Sequence, residues 1–152
     1  MRKRQLFVAG FVALVSVACS DSTSPNEPPP PPLYPALSGA FQIQATFDAF
    51  PTSLANGSGT ITFVQADRDL PGLVATGTLA VVAGGTTGTL TEFRNVALTT
   101  AGAISFQAGS ASSTAAWGFD GTLSTDGRTI TGRHALVGST TSFVGNWTAT
   151  KQ

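Results

Sequence analysis

Cysteine and histidine are nearly absent from this chain of 152 residues, which has one of each, Cys19 and His134. A structural zinc site needs about four ligands, mostly Cys and His, so the chain has no ligand set for one. No serine lies in the Gly-x-Ser-x-Gly motif that marks a nucleophile between a strand and a helix. We therefore expect no catalytic residue, no metal and no cofactor, and we expect that the protein is not an enzyme.

Charge is also scarce, since Asp, Glu, Lys and Arg make up 11% of the chain. Beyond residue 18 there are five Lys and Arg against eight Asp and Glu. Nucleic-acid binding needs a clustered basic surface, which this balance does not supply, so we expect no nucleic-acid partner. Asp67 and Asp69 lack the further oxygens and the spaced glycine of a calcium-binding loop. We interpret both as surface-loop residues.

The start of the chain combines a basic cluster, Arg2-Lys3-Arg4, with an apolar run at residues 6–18. This is the order of a secretory signal peptide, and the run is shorter than the roughly 20 residues of a membrane-spanning helix. Ala18 directly precedes Cys19, where a peptidase can cleave and a lipid can be attached. The segment resembles the lipobox of bacterial lipoproteins, although Ser16 stands where leucine is most common.

The lipobox resemblance implies that residues 1–18 are removed and that acyl chains on Cys19 anchor the mature protein to a membrane. In the family, aspartate directly after the cysteine favours retention in the inner membrane, and here that residue is Ser20. The expected location is therefore the bacterial cell envelope, with the anchor in the outer membrane. The alternative is an ordinary signal peptide cut nearby, which would leave an unpaired thiol in an oxidising compartment.

Residues 20–35 are rich in proline, serine and acidic residues and include the run Pro28-Pro29-Pro30-Pro31-Pro32. Such a segment buries little surface and favours an extended polyproline helix. It predicts that residues 19–36 form a disordered tether that holds the folded domain away from the membrane. A proline-rich binding motif is the alternative, but no basic residue flanks the prolines to orient a partner.

Residues 37–152 have the length of one domain with a single core, and apolar and polar residues alternate along most of them. The stretch Phe41-Gln42-Ile43-Gln44-Ala45-Thr46-Phe47 is an example, and no stretch has a useful stripe at helical spacing. Turn signals such as Asp126-Gly127 separate the alternating segments. We predict an all-β fold, a small antiparallel meander β-barrel of about eight strands, with a β-sandwich as the alternative.

Glycine recurs in these segments two positions before a large apolar residue, so both residues share one strand face: Gly59-Thr60-Ile61, Gly77-Thr78-Leu79, Gly88-Thr89-Leu90, Gly121-Thr122-Leu123 and Gly145-Asn146-Trp147. Glycine weakens a strand, so this recurrence predicts strong coiling or close packing against a large ring. Together with Leu37-Ser38-Gly39 before an aromatic first strand and a closing hairpin at residues 119–150, the pattern resembles small up-and-down barrels of the lipocalin and avidin type. The resemblance implies the architecture but no binding site.

Aromatic side chains are the candidate ligand contacts, because the interior of an eight-stranded barrel is either filled by side chains or holds one small ligand. With His134, the candidates are Trp117, Phe119, Phe143 and Trp147. Core packing is the simpler interpretation of the rings. For His134 it is a hydrogen-bonded position at the core edge or at the barrel mouth.

Two functions are left open by the sequence. The first is a lipid-anchored envelope lipoprotein whose solid barrel acts as a structural or interaction module and contacts an envelope protein. The second is a binding protein that holds a small apolar ligand inside the barrel. The inward-facing large residues are numerous enough to favour the first function slightly. A ligand pocket usually has at least about 300 Å³, so a filled interior would contradict the second.

Overall fold

The computed structural model describes residues 30–47, 54–83, 86–111, 116–137 and 144–152. Pro31–Gln152 forms one compact unit. Within the described ranges no helix has the length and apolar character that crossing a membrane requires. The strands are β1 Gly39–Phe47, β2 Leu54–Gln65, β3 Leu73–Ala83, β4 Thr86–Leu90, β5 Glu92–Leu98, β6 Ala103–Gly109, β7 Ala116–Leu123, β8 Thr129–Val137 and β9 Val144–Lys151.

All nine strands belong to one antiparallel sheet, in the order β4-β3-β2-β1-β9-β8-β7-β6-β5. The first strand pairs with the last, and the two edges of the sheet are β4 and β5. Only Thr91 separates these edge strands in the sequence, and β3 contacts β5 across the gap. The sheet is therefore a nearly closed barrel. The predicted all-β meander barrel is confirmed, and the sandwich alternative is wrong because there is a single sheet.

Nine strands are present, against about eight predicted, because one long strand is interrupted. The N–H of Thr91 donates to the carbonyl of Gly109, so the chain crosses from the β3 edge to the β6 edge at this residue. Within β5 the register shifts at Asn95, which has a left-handed φ of 53° that asparagine tolerates. Phe93 before the shift and Leu98 after it both pack in the core. Phe93 and Leu98 are five positions apart, whereas two residues on one face of a regular strand are an even number of positions apart. The two-residue period is therefore broken, and β5 could not be recognised from the sequence.

The core occupies the inside of the barrel, as the alternation predicts. In β1 the odd-numbered residues 41–45 are buried and the even-numbered residues are exposed. Burying a phenylalanine or isoleucine side chain, such as Phe41 or Ile43, contributes about 1.5–3 kcal/mol. The largest fully buried side chains come from six strands and from the segment before β1: Trp147, Phe41, Phe63, Phe106, Leu37, Ile43, Ile61, Leu79, Ile104 and Ile130.

Four inward glycines mark places where neighbouring strands approach too closely for a side chain. A Cβ on Gly59, Gly77, Gly132 or Gly145 would overlap a backbone carbonyl oxygen of the adjacent strand. In each case the oxygen belongs to the residue before the glycine's register partner. These oxygens therefore lie on the inner side of the sheet. Three of the glycines predicted to allow close packing, Gly59, Gly77 and Gly145, make room for these oxygens, whereas Gly88 is exposed and meets only Val81 at 3.7 Å.

One end of the barrel is crossed by residues 33–38, which we call the strap. The N–H of Tyr34 donates to the carbonyl of Arg68 at 2.9 Å, and Nε of Arg68 donates back to the carbonyl of Tyr34 at 3.0 Å. The N–H of Leu37 donates to Oε1 of Gln65 at 2.9 Å, and the Leu37 side chain is fully buried. The last residues of the segment assigned to the tether thus contact the barrel. We call the end of the barrel that the strap crosses the strap end.

A Gly132→Ala substitution is expected to lower the free energy of unfolding by at least about 2 kcal/mol, because its Cβ must displace the Asp120 carbonyl. The matched control is Gly72→Ala, where an added Cβ meets nothing within 4 Å and the expected change is below about 1 kcal/mol. Urea denaturation followed by circular dichroism measures both. Equal effects of the two substitutions would contradict the close approach of β7 and β8.

Candidate functional site

The middle of the barrel is occupied by aromatic rings from different strands. Phe106 stacks on Phe119 with ring centroids 4.8 Å apart and planes 8° apart. Trp147 meets both of these rings edge to face, at 5.5 and 5.6 Å. Phe63 contacts Phe106 at 6.1 Å and Phe41 at 5.6 Å. Such pairs add about 0.5–1.5 kcal/mol each to the burial of the rings. At this level the barrel interior is filled by its own side chains.

Trp147 is held in a fixed orientation by the backbone of β7. Its register partner on β8 is Gly132, whose partner on β7 is Gly121, so the indole lies beside two positions without side chains. A Cβ on Gly121 would lie 2.8 Å from Cζ2 of the indole. Nε1 donates to the carbonyl of Asp120 at 3.0 Å. The ring therefore supplies a donor to one of the carbonyl oxygens on the inner side of the sheet.

His134 has the same arrangement on the other side of β9. Only 2% of its surface is exposed, and its register partner is Gly145. Nε2 lies 2.9 Å from the carbonyl of Thr46, the oxygen that a Cβ on Gly145 would overlap. A carbonyl can only accept, so Nε2 carries the proton in this contact. His134 thus acts as a hydrogen-bonded packing residue inside the barrel.

Four of the candidate ligand contacts lie together in a continuous row of rings. Trp117 contacts His134 at 5.8 Å, His134 contacts Phe119 at 5.5 Å, and Phe119 contacts Trp147. Trp117 alone is partly exposed, next to the β6–β7 connection. Phe143 and Cys19 lie outside the described residues. The row packs into the filled core, and its exposed end is Trp117.

A separate pocket of about 570 Å³ lies at the strap end. Residues from the strap, from the β5–β6 and β7–β8 turns and from the end of β9 line it, together with three basic side chains, Arg68, Arg128 and Lys151. The pocket is larger than the minimum of about 300 Å³ for a ligand site, and its lining mixes apolar groups such as Pro35 and Leu123 with the charged side chains. The sequence gives no signal for this pocket, because its basic residues are far apart in the chain and meet only at this end of the barrel.

Asp126 also lines the strap-end pocket, and its carboxylate accepts hydrogen bonds within the β7–β8 turn. Its Oδ1 accepts from the Ser124 hydroxyl at 2.6 Å and from the Arg128 N–H at 3.0 Å. These hydrogen bonds, the first from Ser124, lower the pKa of the Asp126 carboxyl below its ordinary value. Gly127 follows with a φ of 69°, which completes the turn predicted at this position.

A second pocket, of about 300 Å³, lies over β5, β6 and β7 and is lined by polar residues such as Asn95, Gln107 and Asp120 with the edges of Phe106 and Phe119. Nδ2 of Asn95 donates to Oε1 of Gln107 at 3.1 Å across it.

In the part of the chain that the structure describes, no three His, Cys, Asp or Glu side chains come together as a metal site.

The fold defines the chain as an antiparallel meander barrel, nearly closed and consistent with a lipocalin-like β-barrel. Comparisons with protein-family models, with curated proteins and with solved structures found no match in any of the three.

Trp147→Phe keeps an aromatic ring but removes the indole N–H, and it is expected to lower the free energy of unfolding by at least about 2 kcal/mol. The Asp120 carbonyl then loses the indole donor, a loss of about 1–3 kcal/mol where the group is shielded from water, and the smaller ring leaves a void. Thermal and urea denaturation measure the change. A loss below about 0.5 kcal/mol would show that the indole does not brace the β7 backbone, since an unsatisfied buried carbonyl alone costs more.

Asp126 is expected to make stability depend on acid. Because its folded pKa is lowered, the stabilisation is complete above the unfolded pKa of about 4 and is lost as pH falls through the folded pKa. The stability difference between the native protein and Asp126→Asn should therefore shrink as pH falls below about 4. Urea denaturation at a series of pH values measures it. Ser124→Ala should move the acid loss to higher pH, and a difference independent of pH would contradict the turn's role.

Proposed function

We propose that this chain is a lipid-anchored lipoprotein of the bacterial cell envelope, held in the outer membrane, with a solid barrel that acts as a structural or interaction module at the membrane surface. The anchoring part rests on the basic and apolar start of the chain and on Ala18 before Cys19. In this proposal residues 1–18 are the signal peptide, and acyl chains on Cys19 hold the protein at the membrane.

The observation that carries the interaction role is the aromatic filling of the barrel. Phe106, Phe119 and Trp147 meet ring to ring in the middle, where a lipocalin-type carrier would keep its ligand. An apolar ligand would have to displace rings that are almost fully buried and, for Trp147, hydrogen-bonded. The contacts that the protein makes with other molecules therefore belong to its outer surface and its ends.

The partner that fits this role is another envelope protein. Threonine, serine and glutamine are common at the described exposed positions of the strands, as in β1, and a few valines such as Val74 are exposed among them. Such a surface contacts proteins through hydrogen bonds and modest apolar area, as in the polar rim of an interface. A catalytic role has no support, since the single histidine serves as a packing residue.

Native mass spectrometry of the full-length gene product, extracted from its host's membranes without denaturation, tests the proposal. We expect a chain that starts at Cys19, carries the mass of acyl chains and retains no small molecule whose binding depends on Trp117. A Cys19→Ser variant should lose the acyl mass and the membrane association, with the barrel still folded. A chain without acyl mass would overturn the anchoring part. A reproducible extra molecule, lost in Trp117→Ala, would overturn the solid barrel in favour of an apolar-ligand carrier.

A further inference from the structure

Three basic side chains meet at the strap-end pocket, and one of them, Arg68, also holds the strap through its Nε hydrogen bond to the Tyr34 carbonyl. Arg68, Arg128 and Lys151 line it, and none of them forms an ion pair with a carboxylate among the described residues. The one ion pair found in those ranges, between Arg94 and Glu92, lies on β5. Three basic groups around one concave surface attract an anion, and a guanidinium group matches the oxygens of a phosphate.

The carboxylates of the same end are occupied by backbone N–H groups. Asp67 accepts from the N–H of Asp69 at 2.8 Å, and Asp69 accepts from the N–H of Leu33 at 3.2 Å. Asp126 accepts from Ser124 and Arg128 and is the one carboxylate in the lining of the pocket. The acidic groups thus shape the turns without losing their charge, and the lining itself has three basic side chains against one acidic side chain.

Lys151 is placed at the pocket by the register of the barrel. Its partner on β1 is Phe41, which is fully buried, so Lys151 occupies an inward position at the last turn of the barrel. Gly39 has a φ of 121°, and a Cβ there would lie 3.1 Å from Cε of Lys151. The missing side chain of Gly39 leaves space for the lysine stem. The ammonium group is thus directed to the pocket by the last strand of the barrel.

Two exposed leucines lie at the same end. Leu33 is 63% exposed and is tied through its N–H to Asp69, and Leu70, the next residue after Asp69, is 59% exposed. Exposed apolar side chains beside basic groups are typical of surfaces that bind at the boundary between headgroups and acyl chains. Water alone does not favour this combination.

The covalent path of the chain leads to the same place. The barrel is joined to the preceding chain at Pro31, next to the strap, and only eleven residues separate Pro31 from Cys19. When extended, a polyproline spacer of that length would reach about 35–40 Å, so it sets the greatest distance between the domain and the membrane and leaves the strap end within reach of the lipid.

We propose that the strap end docks on the membrane surface and that its pocket binds the phosphate of an anionic lipid headgroup. This inference rests on the proposed lipid anchoring, which places the membrane within reach. The anchor holds the protein at the membrane, and the pocket fixes which end of the barrel faces the lipid. The other end and the outer strands then face the envelope partner.

The test uses the lipidated full-length product reconstituted in vesicles of phosphatidylcholine alone or with added phosphatidylglycerol. With Cys19 acylated, an added cysteine is the one thiol available for labelling. Gly72→Cys places a fluorescent label at the strap end, where an added Cβ meets no neighbour, and Thr87→Cys places it on exposed β4 as the control. Quenching by a spin-labelled headgroup reports the proximity of each label to the membrane.

We expect at least threefold more quenching of the Gly72→Cys label with phosphatidylglycerol than without it, and no such difference for the Thr87→Cys label. A triple variant, Arg68→Gln, Arg128→Gln and Lys151→Gln, should abolish the difference, since a basic residue at an anionic membrane contributes roughly fivefold in binding. Arg133→Gln, an exposed residue of β8, is the matched control and should keep it.

Equal quenching of the two labels, or quenching that the triple variant leaves unchanged, would overturn the docking. Loss of the phosphatidylglycerol effect on adding glycerol phosphate would support the phosphate site. Binding of glycerol phosphate with no vesicle effect would overturn the lipid as its source. The acyl mass of the same sample tests the anchoring separately, so failure of the pocket and failure of the anchor are distinguishable.

Discussion

The barrel depends on a local constraint at its inner wall, where backbone carbonyl oxygens lie on the inner side of the sheet and oppose glycines. A carbonyl turned into an apolar interior costs free energy unless it receives a donor. Two of the four oxygens receive a ring N–H. The Trp147 indole donates to the Asp120 carbonyl, and the His134 ring donates to the Thr46 carbonyl. The same glycines that let the strands coil thus make room for the rings, and the rings satisfy the backbone that the coiling exposes.

This coupling explains why the interior is solid at the level of the aromatic row. Once Trp147 is fixed by the β7 backbone, its faces and edges determine the positions of Phe106 and Phe119. A carrier barrel keeps its polar anchors at the mouth and its centre open. Here the polar contacts of Trp147 and His134 hold core residues in place. The charged pocket at the strap end is built from turns and chain ends, which is where the barrel can vary without disturbing this packing.

Period-two alternation and the turn signals were sufficient to predict an antiparallel meander and most of its inward residues, while the barrel form was favoured by the strand count and the glycine steps over a sandwich that the sequence left open. It failed at β5, because the left-handed Asn95 shifts the phase between Phe93 and Leu98. The glycine steps predicted close packing against large rings, but the sequence could not indicate which carbonyls the rings would meet. The strap-end pocket was beyond sequence reasoning, since Arg68, Arg128 and Lys151 are brought together only by the closure of the barrel.

The claim that most of the account depends on is that the barrel is filled by its own rings. Aromatic NOE spectroscopy of the folded protein, with phenylalanine and tryptophan side chains labelled, tests it most directly. A filled barrel predicts strong NOEs from the Trp147 indole to the rings of Phe106 and Phe119, whose centroids lie 5.5 and 5.6 Å away. It also predicts an indole N–H that exchanges with solvent only when the protein unfolds. Missing contacts between these rings, with NOEs to a bound molecule or rapid exchange of the N–H, would show a hollow barrel and contradict the account.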